Sequence, residues 1–266
     1  MNPIVIDEAS CTGCGLCVND CFTNALYLEG GKARAKADSC AACGHCYAIC
    51  PQGAVSMPGY DCESGGGLVS YADFDAERML RALKSRRTIR RFRDQPVEKE
   101  QLRAIIEAGR YSPTAINLQN VRYTVLSGER MAEFERVSVA ALRKAMRLAK
   151  RFSPMLESMR IEDDFLFHGA PAAILVTASK EMIGYFLADV NGSLATAHME
   201  TQAECMGLGV LISGYTVVAL KISRKAREIA GLAKNERPVI CLVVGHPAVK
   251  YQRLPPRKEA VVRWLE

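Results

Sequence analysis

Residues 11–21 read CTGCGLCVNDC and residues 40–50 read CAACGHCYAIC. Both follow C-x2-C-x2-C-x3-C, and each cysteine of the second stretch lies 29 positions after its counterpart in the first. Cysteines three residues apart meet disulfide geometry poorly, whereas thiols in such short loops suit metal ligation. The chain has 11 cysteines, so Cys62, Cys205 and Cys241 fall outside the repeat. Cys205 lies in a helical pattern and Cys241 in the strand-like PVICLVVG, and both read as small buried hydrophobes. The role of Cys62 is open.

Thiolates spaced C-x2-C-x2-C fold a loop around one iron–sulfur cluster, and the cysteine three residues on serves the companion cluster. The expected ligand sets are therefore crossed: Cys11, Cys14, Cys17 and Cys50 on one 4Fe–4S cluster, and Cys40, Cys43, Cys46 and Cys21 on the other. Gly13, Gly15 and Gly44 suit loops whose backbone comes close to sulfide. ALYLEGGKARA and GAVSM read as short hairpin strands flanking the loops. A pair of zinc sites is the alternative, but zinc takes two C-x2-C pairs and leaves the last cysteine of each repeat unexplained. Residues 1–60 resemble a bacterial two-cluster ferredoxin. Pro51 follows the last cysteine as in that family, while Phe22 stands at the corresponding place in the first half, which predicts a local change around Cys21 with ligation kept.

A chain of 266 residues, 49% apolar and 24% charged, can bury a core and holds more than one domain. Its apolar runs are shorter than the roughly 18–20 residues that span a bilayer, and the first cysteine loop starts too near Met1 for a signal peptide. A cytoplasmic protein with no membrane partner is expected. The charge is uneven: residues 1–67 carry three basic and seven acidic side chains, leaving +10 on the rest of a chain whose total is +6. A basic body suits a phosphate-bearing cofactor or an acidic partner. It carries no nucleic-acid motif and no interleaved aromatic platforms, so nucleic acid is not expected.

PGYDCESGGG at 58–67 is aperiodic and glycine-rich, which divides the chain into 1–60, a linker at 61–70, and a second domain over 71–266. In that domain FDAERMLRAL, EKEQLRAIIEAGR, ERMAEFERVSVAALRKAMRLAKRF, Met182 to Met206 and SRKAREIAGLAK read as helices, the second begun by Pro96. VRYTVLSG, APAAILVTAS and PVICLVVG read as strands. The order is irregular and has no G-x-G-x-x-G turn, so the fold class is α+β.

Three stretches of the second domain, and its tail, resemble the nitroreductase family. Residues 78–93 hold eight basic side chains and no acidic one, and Arg86, Arg87, Thr88, Ile89 and Arg90 are similar to the family's segment around the FMN phosphate. Guanidinium groups and a hydroxyl suit phosphate oxygens. Tyr111 to Gln119, with Pro113, Thr114, Ala115 and Asn117, is similar to the loop that reaches the flavin from the neighbouring subunit. Gly207 to Tyr215 is similar to the segment along the isoalloxazine edge, where the resemblance implies a donor to flavin N5 at the Ser213 N–H and close approach at Gly214. Lys250 to Pro255 is similar to a C-terminal element that returns a basic residue, here Arg253, to the phosphate. The resemblance implies an FMN-binding α+β homodimer with its flavin site at the interface.

Clusters carry single electrons and flavin handles pairs, so a wire from cluster to cluster to FMN to a small organic acceptor is expected. Nitroaromatics, quinones, activated alkenes and halogenated aromatics are acceptors the resemblance implies. The donor is a ferredoxin or NAD(P)H. An electron carrier or redox sensor with a protein acceptor is the reading from another class, and a reductive dehalogenase or ene-reductase is an alternative within enzymes. His168, His198 and His246 read as structural, and no catalytic acid or base stands out.

Overall fold

The computed structural model describes residues 3–62, 69–149, 160–179 and 184–265. Part of the expected linker (63–68), the end of the helix expected to run to Phe152, and the first residues of the helix expected from Met182 lie outside them. The chain divides into two compact units, Met1–Asp73 with Thr114–Leu118, and Phe74–Pro113 with Gln119–Glu266. Among the described residues no helix is long and apolar enough to cross a membrane.

In the first unit β1 (Val5–Ile6) pairs antiparallel with β4 (Val55–Ser56), and β2 (Leu26–Glu29) forms a hairpin with β3 (Lys32–Ala35). Two short helices, α1 (Leu16–Asn19) and α2 (His45–Ile49), start immediately after Gly15 and Gly44. The sequence repeat is also a structural one. Its core is Ile4, Cys17, Leu26, Ala33, Cys46, Val55 and Met57, and Ile4/Ala33, Cys17/Cys46 and Leu26/Val55 are each separated by the same 29 positions as the cysteines. Each half thus supplies the same small set of apolar groups to one shared core.

The second unit opens with α3 (Ala76–Ser85), where FDAERMLRAL was expected to be helical. It is built on a four-stranded antiparallel sheet in the order β5-β6-β8-β7, with β5 at Val121–Ser127, β6 at Ala172–Ser179, β7 at Gly209–Ile212 and β8 at Glu236–Gly245. Every residue of β6 is buried, which explains its unbroken apolar run. Its side chains alternate between two cores. Ala172, Ile174 and Val176 pack with Leu102 and Ile105 of α4 (Lys99–Arg110) and Met199 and Ala203 of α6 (Gly184–Cys205). Ala173 and Leu175 pack with Phe134, Val139 and Leu142 of α5 (Gly128–Ala149), Ala219 and Leu220 of α7 (Gly214–Ile222), and Ala226 of α8 (Arg224–Ile229). Helices cover both sheet faces, so the period-2 strand pattern feeds two apolar layers.

Several expectations need correction. The helix expected to begin at Pro96 begins at Lys99 with Glu98 as its N-cap, and the Glu98 N–H donates to Gln101 Oε1 at 3.1 Å. The helix expected over SRKAREIAGLAK ends at Ile229. The helix α7 had no counterpart in the expected elements. Cys205 is exposed and not buried: it is the last residue of α6, about 200° round the helix from the buried Ala203. Cys241 is buried as expected.

Candidate active site

The eight repeat cysteines fall into the two crossed sets. Cys11, Cys14, Cys17 and Cys50 line one small cavity. Cys40, Cys43, Cys46 and Cys21 line another of similar size. In each, three thiols come from one half and the fourth from the other. Among the described residues no three Cys, His, Asp or Glu side chains converge on a single-ion site. The thiols stand around a space instead, which suits a polynuclear group better than a zinc ion.

Backbone N–H groups aim at the sulfurs. Ala25 donates to Cys21 Sγ and Ala54 to Cys50 Sγ, both at 3.3 Å, and these pairs are again related by the repeat. Ala33 donates to Cys11 Sγ at 3.5 Å and Ala42 to Cys40 Sγ at 3.4 Å. The Ala33 N–H leads the effects that pull the Cys11 thiol below its usual range. Burial pushes Cys17 up and carries Cys46 to about 11, so as free thiols these two stay protonated and metal must displace the proton. Cys62 is half-buried against the same core, its Sγ 3.9 Å from the Met57 carbonyl. Asn117 Nδ2, expected at a flavin, donates to the Ala42 carbonyl at 2.8 Å, within the first unit.

In the second unit a cavity of about 980 Å³, open to solvent, is lined by Arg90, Phe165, His168, Ile212, Ser213, Gly214 and their neighbours. It lies at the start of α7, where first-turn N–H groups have no acceptor inside the helix. Ser213 is buried, and its N–H donates to the Cys241 carbonyl at 2.8 Å. The N–H expected to face a bound flavin is thus engaged in the strand-to-helix turn. The Ser213 hydroxyl is 2.8 Å from Thr216 Oγ1, which fixes the turn further. Gly214 is exposed, and a Cβ there would meet nothing within 4 Å, so this wall is open for a flat group to cover.

The part of the lining at Phe165, Leu166 and His168 is held by a carboxylate that the sequence reading missed. Glu135 on α5 accepts from the N–H groups of Leu166 and Phe167, each at 3.0 Å. Burial raises the Glu135 carboxyl above its usual range, against these two bonds. His168 has φ 53, and burial lowers its imidazole below the usual range. A lone Glu at a helical polar position carries no signal for either.

The basic segment lies along the sheet edge. The Ile89 N–H donates to the Val210 carbonyl at 2.8 Å and Arg93 N–H to that of His246 at 2.8 Å. Arg90 reaches the cavity. Arg86 instead pairs with Glu200 of α6 at 2.7 Å and donates to Thr88 Oγ1 at 3.1 Å. The Arg87 guanidinium stands 5.1 Å from the Tyr251 ring centroid, and Tyr251 OH donates to the Thr88 carbonyl at 3.5 Å. The tail thus returns to this segment, with Arg253 exposed two residues further on.

Thiol-lined twin cavities and a helix-flanked antiparallel sheet define an α+β protein joined to a ferredoxin-type module. Residues 83–246, more than half of the chain, match the profile described as the Nitroreductase family, and residues 3–51 match that of a 4Fe-4S dicluster domain. The chain belongs to the nitroreductase family. An uncharacterised ferredoxin of Methanocaldococcus jannaschii is 40% identical over 57 residues, 20% of this chain and 92% of that one. An FMN-dependent nitroreductase from Clostridium difficile R20291 is similar in structure at 18% identity, TM-score 0.57, over 71% of this chain and 100% of its own. The FMN- and NADPH-dependent nitroreductase of Sphigopyxis sp. strain HMH is similar at 20% identity, TM-score 0.55, over 70% and 98%. At these identities the likeness is one of fold.

Proposed function

We propose that this chain is an FMN-dependent oxidoreductase that takes electrons through two 4Fe–4S clusters and delivers them to a small organic acceptor. The observation that carries the reading is the crossing of the thiols: Cys11, Cys14, Cys17 and Cys50 would hold one cluster, and Cys40, Cys43, Cys46 and Cys21 the other. When bound, the clusters supply one-electron transfer and the flavin supplies hydride chemistry.

The chain's own residues fit both groups. N–H donors on four of the sulfurs spread the negative charge of a thiolate-bound cluster. In the second unit the cavity beside Gly214 offers apolar walls, the Arg90 cation and the N-terminal end of α7, a combination suited to an isoalloxazine ring that gains negative charge. With the Ser213 N–H engaged, the first-turn N–H groups from Gly214 onward are the donors in reach. Arg87, Arg90 and Arg253 are assigned to the phosphate, with Arg86 acting through Thr88, whose hydroxyl it holds. Pro113, Thr114 and Ala115 are assigned to the flavin of a partner protomer. A homodimer is supported by apolar residues left exposed on α6 and α7, namely Val190, Leu194, Val218 and Ile222.

The test is anaerobic preparation with iron, sulfide and flavin counted per chain, then mixing with reduced ferredoxin, NADH or NADPH. About eight iron and one flavin per chain are expected, with flavin reduction by ferredoxin lost in Cys14→Ser while dithionite-reduced protein still reduces a nitroaromatic or quinone. Absence of acid-labile sulfide, or full ferredoxin-driven turnover in Cys14→Ser, would refute the reading.

A further inference from the structure

The two cysteine loops differ at one decisive position. Gly13 lies between Cys11 and Cys14 with φ 68, and a Cβ there would run into the Gly31 carbonyl of the β2–β3 turn. The first loop is thus braced by the hairpin and requires glycine. The residue 29 positions on is Ala42, with φ 50. The left-handed region is penalised for residues with a Cβ, and such strain persists only where surrounding groups fix it.

Two bonds fix Ala42. Its N–H donates to Cys40 Sγ at 3.4 Å, and its carbonyl accepts from Asn117 Nδ2 at 2.8 Å. Asn117 lies in Thr114–Leu118, a segment that groups with the first unit although the chain on either side of it belongs to the second. The segment is itself held under tension. Within it Ile116 and Asn117 have φ of 46 and 55, and a β-branched residue in this region is an outlier. An asparagine tolerates it and brings an amide donor.

We propose that Asn117 is a positioning residue for the second cysteine loop: its amide holds the Ala42 peptide in the left-handed turn, which keeps the Ala42 N–H on Cys40 Sγ. The proposal rests on the two-cluster reading above. N–H donors to a ligand sulfur tune both the potential of a cluster and its hold on iron. One loop of the repeat is braced from inside the module. The other is braced by a stretch of chain inserted from 64 residues beyond the last repeat cysteine, since Cys50 precedes Thr114 by that much.

The test uses full-length, cluster-loaded protein. Asn117→Gly accepts the backbone conformation and removes the donor; Asn117→Asp keeps the backbone preference but sets a carboxylate against the carbonyl. Iron release to a chelator is followed by absorbance, and the two reduced clusters are resolved by EPR. In both variants half of the iron should leave roughly fivefold faster and one EPR signal should shift, while the other half and the other signal stay as in wild type. Adding Ala42→Gly should restore slow release, because glycine needs no brace. Equal acceleration of both halves, no acceleration, or no rescue overturns the proposal. If neither Asn117 variant accumulates, Ala42→Gly alone decides: slower release of one half supports the brace, and unchanged release overturns it. A wild-type count of about four iron per chain would instead remove the two-cluster reading, and the inference with it.

Discussion

Gly209 on β7 is where the basic segment comes closest to the sheet, and replacing it with alanine tests how tightly that approach is set. The added Cβ would stand 2.7 Å from Ile89 Cγ1 and 3.1 Å from Ile89 Cβ and Cγ2. Carbon atoms in good contact sit about 3.5–4.0 Å apart, so Ile89 must move by close to 1 Å. It has little freedom to do so: it is buried, β-branched, and tied by its N–H to the carbonyl of Val210, the neighbour of Gly209. Overpacking of this kind costs about 1–3 kcal/mol, which for a domain of this size lowers Tm by roughly 3–10 °C. Arg90 follows Ile89 directly, so FMN affinity should weaken about tenfold, the equivalent of ~1.4 kcal/mol. Gly214→Ala is the matched control, since its Cβ meets nothing within 4 Å. It should leave Tm unchanged or slightly raised while weakening FMN, because the methyl projects from the cavity wall. Thermal melts of FMN-free protein and FMN titration by fluorescence quenching separate the two effects. A Gly209→Ala protein that melts within about 1 °C of wild type would refute this account of the contact.

Three further outcomes are expected. Glu135 has a folded-state carboxyl raised by burial, so the stability it contributes is complete below its unfolded value of 4.5 and is lost as pH rises through the folded value. Melts from about pH 5 to about pH 7 should show this decline, and Glu135→Gln should flatten it. Arg86→Ala leaves Glu200 without its cation beside Glu204, whose carboxyl is already raised by burial first and by Glu200 second. A loss of about 1–2 kcal/mol in urea unfolding is expected, recovered in part by Glu200→Gln. Cys205 is exposed whereas Cys241 is buried with its thiol pushed to about 12, so alkylation followed by mass spectrometry should modify Cys205 readily in the folded protein and Cys241 only after unfolding.

The ferredoxin-type module was legible residue by residue because its chemistry fixes spacing. Cysteines at short, repeated intervals leave few arrangements, and the crossed sets follow from the x3 step. Three of the four strands of the large sheet were legible for a simpler reason, since AAILVTAS and PVICLVVG are apolar beyond what a helix face needs, whereas the four-residue β7 was not among the expected strands. The helix α7 was not, since GYTVVALKI holds β-branched residues that favour a strand, and packing of Thr216, Val217, Ala219 and Leu220 overrides that preference. Cys205 misled because a helical pattern does not tell which side of the last turn faces inward. Ser213 carried a motif signal, but the partner of its N–H depends on a strand 28 residues later, at Cys241, which local sequence cannot specify. Asn117 carried a motif signal, and the carbonyl that receives its amide lies in a different stretch altogether.

The sharing of the fourth thiol between halves bears on biosynthesis. A nascent chain that has emerged only as far as Cys46 contains all four cysteines of the second ring but three of the first, because the ring around Cys11, Cys14 and Cys17 closes only with Cys50. Neither half alone supplies four thiols to one ring. On the two-cluster proposal, iron loading of the first ring follows translation past Cys50, whereas the second ring has its full set of thiols four residues earlier.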